Sequence, residues 1–154
     1  MESYKKEVLK IKLLNIAVIF SIIVSAFYML MGLLYLISGT FQSYHIDFTG
    51  LTVNDVTAFN ANLMILIGIF IRMVGIGTTT AGLASLFITI IPFRKGEKWA
   101  WVALFLIGII AIVPTLIITF PVLGATFLYI IFIIMLIIWI LGIILSGYEM
   151  FLKK

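Results

Sequence analysis

An all-α integral membrane bundle of four helices is the fold class this chain predicts, and three observations predict it. Its 154 residues are 64% hydrophobic and only 10% charged, whereas about a quarter of a soluble domain is charged. The apolar residues gather into four long runs, each able to cross the hydrocarbon core. Nine of the ten basic residues flank those runs in three clusters: Lys5, Lys6, Lys10 and Lys12; Arg94, Lys95 and Lys98; Lys153 and Lys154. Four crossings put all three clusters on one side, which the positive-inside rule makes cytoplasmic. The expected location is therefore the cell membrane, multi-pass, with both termini in the cytoplasm. The whole chain, 1–154, reads as one transmembrane domain.

Residues 2–12 are charged and compatible with a helix, with Glu2 and Glu7 spaced to meet lysines three or four residues on. The first span follows over about 13–37, too long for the apolar part of a cleaved signal peptide. Residues 38–57 form the one sizeable polar connection, an outer loop. Between Tyr44 and Thr49 apolar and polar residues alternate, which predicts a short extended segment near the headgroups. Phe41, Tyr44 and Phe48 suit that depth. Thr52 followed by Asp55 has the spacing of a capping box and predicts a helix start.

The second span, 58–91, is unusually long: about 34 residues, or near 50 Å as one straight helix. The hydrocarbon core is only about 30 Å thick. A tilt, a projecting end or a bend is required, and Gly75-Ile76-Gly77 before Thr78-Thr79-Thr80 is the expected bend. A basic turn, Pro92 to Lys98, carries Gly96 and leads into Trp99 and Trp101 at the interface. The third span covers 99–119 with Pro114 inside it, and Phe120 to Gly124 reads as a tight outer turn. The fourth covers 125–146.

Chemistry-bearing residues are few. Arg72 lies within the second span, where an arginine at the centre costs roughly 2.5–3.5 kcal/mol on insertion scales. Counting about twenty residues out from Ile91 brings the chain to Arg72, so an outer-boundary position that snorkels to phosphate competes with a binding role. Asn62 and Thr78 are possible neutral partners for it. Ala61, Gly68, Gly75 and Gly82 recur every seven residues on one stripe, with Gly77, Ala81 and Ser85 on a neighbouring face. Small residues at such spacing let helices approach closely, within the chain or between copies. His45 and Asp47 are weak metal candidates, two mixed ligands without a third. The chain has no cysteine, which excludes thiolate chemistry and thiol-bound metal. No phosphate-cradling glycine loop or nucleophile elbow is present, so no cofactor is implied. The lysines sit at span ends rather than along one surface, which argues against nucleic acid as a partner and for membrane lipid.

The run Arg72-x-x-Gly75 … Gly82, followed by Phe93-Arg94-Lys95-Gly96-Glu97-Lys98-Trp99-Ala100-Trp101, resembles a pattern in small prokaryotic four-span proteins of the DoxX-like kind. The resemblance covers about residues 70–105. It implies an uncharacterised membrane protein or an accessory subunit of a membrane redox system, although the redox cysteines of some such families are absent here. Small multidrug exporters fit worse, because the first span has no acidic residue. The leading functional expectation is thus a non-catalytic accessory or assembly subunit, or a homo-oligomer, docking through the stripe of the second span on itself or a larger membrane complex. The alternative is a small channel, carrier or lipid-binding protein in which Arg72 takes an anionic group.

Overall fold

The structure, a computed structural model, describes the backbone of residues 2–124 and 126–152 and the side chains of 13–124 and 126–151. The side chains of Lys5, Lys6, Lys10 and Lys12 with their acidic neighbours, and Ala125, Lys153 and Lys154, lie outside the described residues. The described chain is helical without strands. Its order is α1 (Glu2–Ser38), two short helices α2 (Ser43–Thr49) and α3 (Val53–Phe59), then α4 (Ala61–Ile90), a 3-10 turn (Phe93–Lys95), α5 (Lys98–Leu123) and α6 (Phe127–Gly147), closed by a π turn over Tyr148–Leu152. Four of the helices are long and apolar enough to cross a membrane.

The four pack as a bundle in which α1 is central, lying along α4 and against α6, while α5 joins α6. The start of the first span, the 93–95 turn and the C-terminal π turn share one end, here called proximal; Leu14 touches the site of Gly96. Phe93 is fully buried there with Ala17, Val18, Ala100, Leu104 and Ile143. A second core, nearer the opposite, distal end, joins Val24, Tyr28, Ile112, Leu116, Leu123 and Phe132. Most other large apolar side chains face outward, among them Ile65, Phe70, Ile110 and Ile117, as a lipid-solvated surface requires.

Several expected boundaries move, each for a local reason. Residues 43–49 are helical, not extended. The Gln42 backbone N–H donates to His45 Nδ1 at 3.0 Å, and Gly50, at φ 67°, ends the turn with its N–H on the Ile46 carbonyl. The left-handed conformation at Gly50 is one that glycine takes without a side-chain penalty. The helix begun at Thr52 has its capping box with Asp55, but it stops at Phe59. Asn60 then leaves helical geometry and its side chain accepts from the N–H groups of Asn62 and Leu63, starting α4 afresh. The break at Asn60 removes only a small part of the excess length, since Ala61–Ile90 still measures about 45 Å. From Ala61 to Ile90 the helix is unbroken through Gly75 and Gly77.

The third span also runs further than expected, through Pro121 to Leu123. Threonine hydroxyls on that helix donate to carbonyls one turn back, Thr115 to Ala111 and Thr119 to Thr115. Helix α5 thus extends through most of the expected turn, and Thr126 caps α6 by accepting from the Tyr129 N–H.

Candidate functional site

The seam between α1 and α4 sets the geometry of everything else. A Cβ added to Gly75 would lie 2.5 Å from the Leu36 nitrogen and 2.8 Å from the Gly32 carbonyl oxygen, and one on Gly82 would lie 2.5 Å from the Met29 nitrogen. Gly68 meets the Gly39 carbonyl in the same way, at 2.9 Å. On α1 the facing positions are Ser25, Gly32 and Gly39, again spaced by seven. Two small-residue stripes therefore interlock, backbone against backbone. The stripe expected on the second span is filled from within the chain: Gly68, Gly75, Gly82 and Ser85 are buried, whereas Ala61 and Gly77 are exposed outside the seam.

Such close approach on one side leaves room on the other. Between the two cores lies a narrow cleft, part of it continuous with the surroundings, bordered by all four long helices. Its apolar wall includes Val24, Leu104, Ile107, Ala111 and Ile112; its polar residues are Ser21, Ser25, Tyr28, Ser85 and Trp139. The Tyr28 hydroxyl and the Trp139 Nε1–H are both buried without a hydrogen-bond partner among the described residues. The hydroxyls of Ser21, Ser25 and Ser85 likewise make no hydrogen bond to a described residue.

The indole of Trp139 is held in place. Its ring lies on Gly108, where a Cβ would come within 2.2 Å of it, and it stacks on Phe105 at 6.2 Å, which stacks in turn on Trp101 at 5.3 Å. Trp101 differs from Trp139 in being satisfied, since its Nε1–H donates to the Ile143 carbonyl at 3.0 Å. No carboxylate, histidine or lysine borders the cleft. What the cleft can offer is an apolar wall with hydrogen-bond donors at mid-span; it has no acid–base pair and no activated nucleophile.

The residues singled out in the sequence do not converge. Arg72 is exposed, and its guanidinium lies across Gly39 at the distal end of α1, not at the cleft. Asn62 sits in the first turn of α4, ten residues and about 15 Å away along the helix. The Thr78 hydroxyl donates to the Val74 carbonyl of its own helix at 2.8 Å. Among the described residues no three metal-ligating side chains gather. Helix α2 points His45 and Asp47 in different directions, as residues two apart on a helix are.

Around His45 the distal cover of the bundle is tied together. Tyr44 hydrogen-bonds Tyr35 through their hydroxyls and packs against the distal core. Burial, then the bond to Tyr35, pushes the Tyr44 hydroxyl well above the usual tyrosine range. Burial lowers the pKa of His45 below its ordinary 6.5. The side-chain and backbone hydrogen bonds of Thr52 hold the exposed Asp55 below the usual carboxylate range.

Tyr28, Trp139 and Gly108 were not singled out by sequence. A trace of the pattern is present in α1, where Ser21, Tyr28 and Tyr35 recur every seven residues beside the Ser25, Gly32, Gly39 stripe. No family model, curated protein or solved structure matches the chain.

Proposed function

We propose that this is a non-catalytic binding protein of the cell membrane, whose mid-bundle cleft takes a neutral, apolar molecule carrying a hydrogen-bond-accepting oxygen. One observation carries this reading: Tyr28 and Trp139 line the same cleft, and neither the Tyr28 hydroxyl nor the Trp139 indole N–H has a partner among the described residues. A buried donor left unpaired costs about 1–3 kcal/mol, and in lipid there is no bulk water to relieve it. An oxygen acceptor entering between them offsets both costs, and the apolar wall holds the rest of the molecule. A charged ligand fits poorly, because no charged side chain lines the space. With the three basic clusters cytoplasmic, the proximal end faces the cytoplasm and the cleft lies at mid-depth.

Docking as an accessory subunit or homo-oligomer through Gly68, Gly75 and Gly82 would require α1 to leave the seam it already fills, and this favours the binding reading. The test uses a variant whose only tryptophan is Trp139, made by Trp99→Phe and Trp101→Phe, in lipid nanodiscs. The methyl ester of a dibrominated stearic acid, a neutral chain with a carbonyl and a contact quencher, is titrated in. Saturable quenching of Trp139 that Ser25→Leu abolishes supports the cleft as the site. Quenching that rises without saturation, or is indifferent to Ser25→Leu, means only lipid-like partitioning and refutes it.

A further inference from the structure

A second site is carried by different residues at the distal end. We propose that Arg72, seated across Gly39 and Gly68, binds the phosphate of a membrane phospholipid. The two glycines make the seat. A Cβ on Gly39 would come within 2.4 Å of the Arg72 Cζ, and one on Gly68 would sit 3.6 Å from a terminal nitrogen. Gly39 also has φ +51°, a conformation that disfavours a side chain there independently of space. The guanidinium can therefore lie flat over the last turn of α1, where its long stem reaches toward the N-terminus of α4 as helical side chains do.

Nothing in the described protein answers its charge. Arg72 makes no ion pair or hydrogen bond with a described residue, although a guanidinium carries five donors in a planar fork. The level of the group is also informative. Gly39 directly follows the first apolar span, Leu13–Ser38, so the guanidinium lies where hydrocarbon gives way to headgroups. From that level toward the proximal end α4 presents the exposed apolar side chains of Ile76 and Leu83. A lipid standing against that wall would bring its phosphodiester to the guanidinium and its acyl chains to this apolar surface. Phosphate is the anion matched to this fork, and Arg–phosphate pairs are frequently bidentate.

The test is native mass spectrometry of the full chain, released from detergent with equal amounts of phosphatidylglycerol and a phosphate-free digalactosyl lipid. The wild type is expected to retain the phospholipid selectively. Arg72→Gln should weaken its retention about tenfold, the factor expected for losing a charge-assisted bond. Arg72→Lys, which keeps the charge and loses the fork, should fall between. Thermal unfolding in vesicles of each lipid separates a structural brace from a binding group. Destabilisation by Arg72→Gln only in the phospholipid vesicles supports the proposal; an equal loss in both, or equal retention of the two lipids by the wild type, overturns it. Displacement of bound phospholipid by millimolar glycerol phosphate would also overturn it, in favour of a soluble anion.

Discussion

Replacing Gly75 with alanine adds one methyl group at one of the tight points of the α1–α4 seam. The new Cβ would stand 2.5 Å from the Leu36 nitrogen, 2.8 Å from the Gly32 carbonyl oxygen and 2.9 Å from the Leu36 Cα. All three are backbone atoms, so no side chain can swing aside. Reaching an ordinary contact of 3.4 Å requires α1 and α4 to part by about 0.9 Å, and that loosens the dispersion contacts along both helices. Overpacking of this kind costs about 1–3 kcal/mol. Gly77→Ala is the internal control, because nothing lies within 4 Å of that position; there alanine should be neutral or stabilise by up to about 1 kcal/mol through helix propensity. Reversible unfolding in mixed micelles of increasing dodecyl sulfate content, followed by tryptophan fluorescence, measures the difference. If Gly75→Ala and Gly77→Ala unfold at the same dodecyl sulfate fraction, the close seam described here is wrong.

Three further outcomes are expected. Gly108→Ala pushes a methyl group to within 2.2 Å of the Trp139 ring; it should displace the indole, abolish saturable quenching by the brominated ester and cost about 1–3 kcal/mol in the same unfolding assay. Trp101→Phe removes the 3.0 Å bond to the Ile143 carbonyl and should destabilise the α5–α6 contact by about 0.5–1.5 kcal/mol, without changing ester binding. Acidification should loosen α2, because His45 Nδ1 accepts the Gln42 N–H and can do so only while unprotonated. Burial places the folded-state pKa of His45 below 6.5, so the unfolded segment binds the proton more readily. Stability is then complete above about 6.5 and falls as the pH drops from there through the folded value. The protection factor of the Gln42 amide should fall below about pH 6.5 in the wild type and show no such step in His45→Gln.

The four long helices could be read from hydropathy because lipid imposes one rule on all of them: about twenty apolar residues with every backbone group paired inside the segment. Boundaries were harder where that rule is silent. From Ala58 to Ile91 the sequence is apolar almost throughout, and the break at Asn60 depends on one side chain turning back to cap two N–H groups. The Tyr44–Thr49 alternation misled because a six-residue segment contains too little periodicity to separate strand from helix, and the deciding contact is a single histidine nitrogen on Gln42. The glycine stripe of the second span was legible as a packing surface, but its partner was not, since Ser25, Gly32 and Gly39 acquire meaning only when α1 is laid antiparallel to it. The cleft was the least visible feature. Its residues come from four helices, and an unpaired indole N–H is a property of three-dimensional surroundings rather than of tryptophan.

The central claim is that the Trp139 indole N–H awaits an acceptor. The most direct measurement is the Nε1–H resonance of Trp139 in a ¹⁵N-labelled chain held in nanodiscs and titrated with the stearic methyl ester. The account predicts a downfield shift of that resonance, and protection from solvent exchange, that saturate as the ester fills the cleft, while the Trp101 resonance, already bonded to Ile143, stays in place. An unmoved Trp139 resonance at ester concentrations that saturate fluorescence quenching, or equal shifts of both tryptophans, would contradict it.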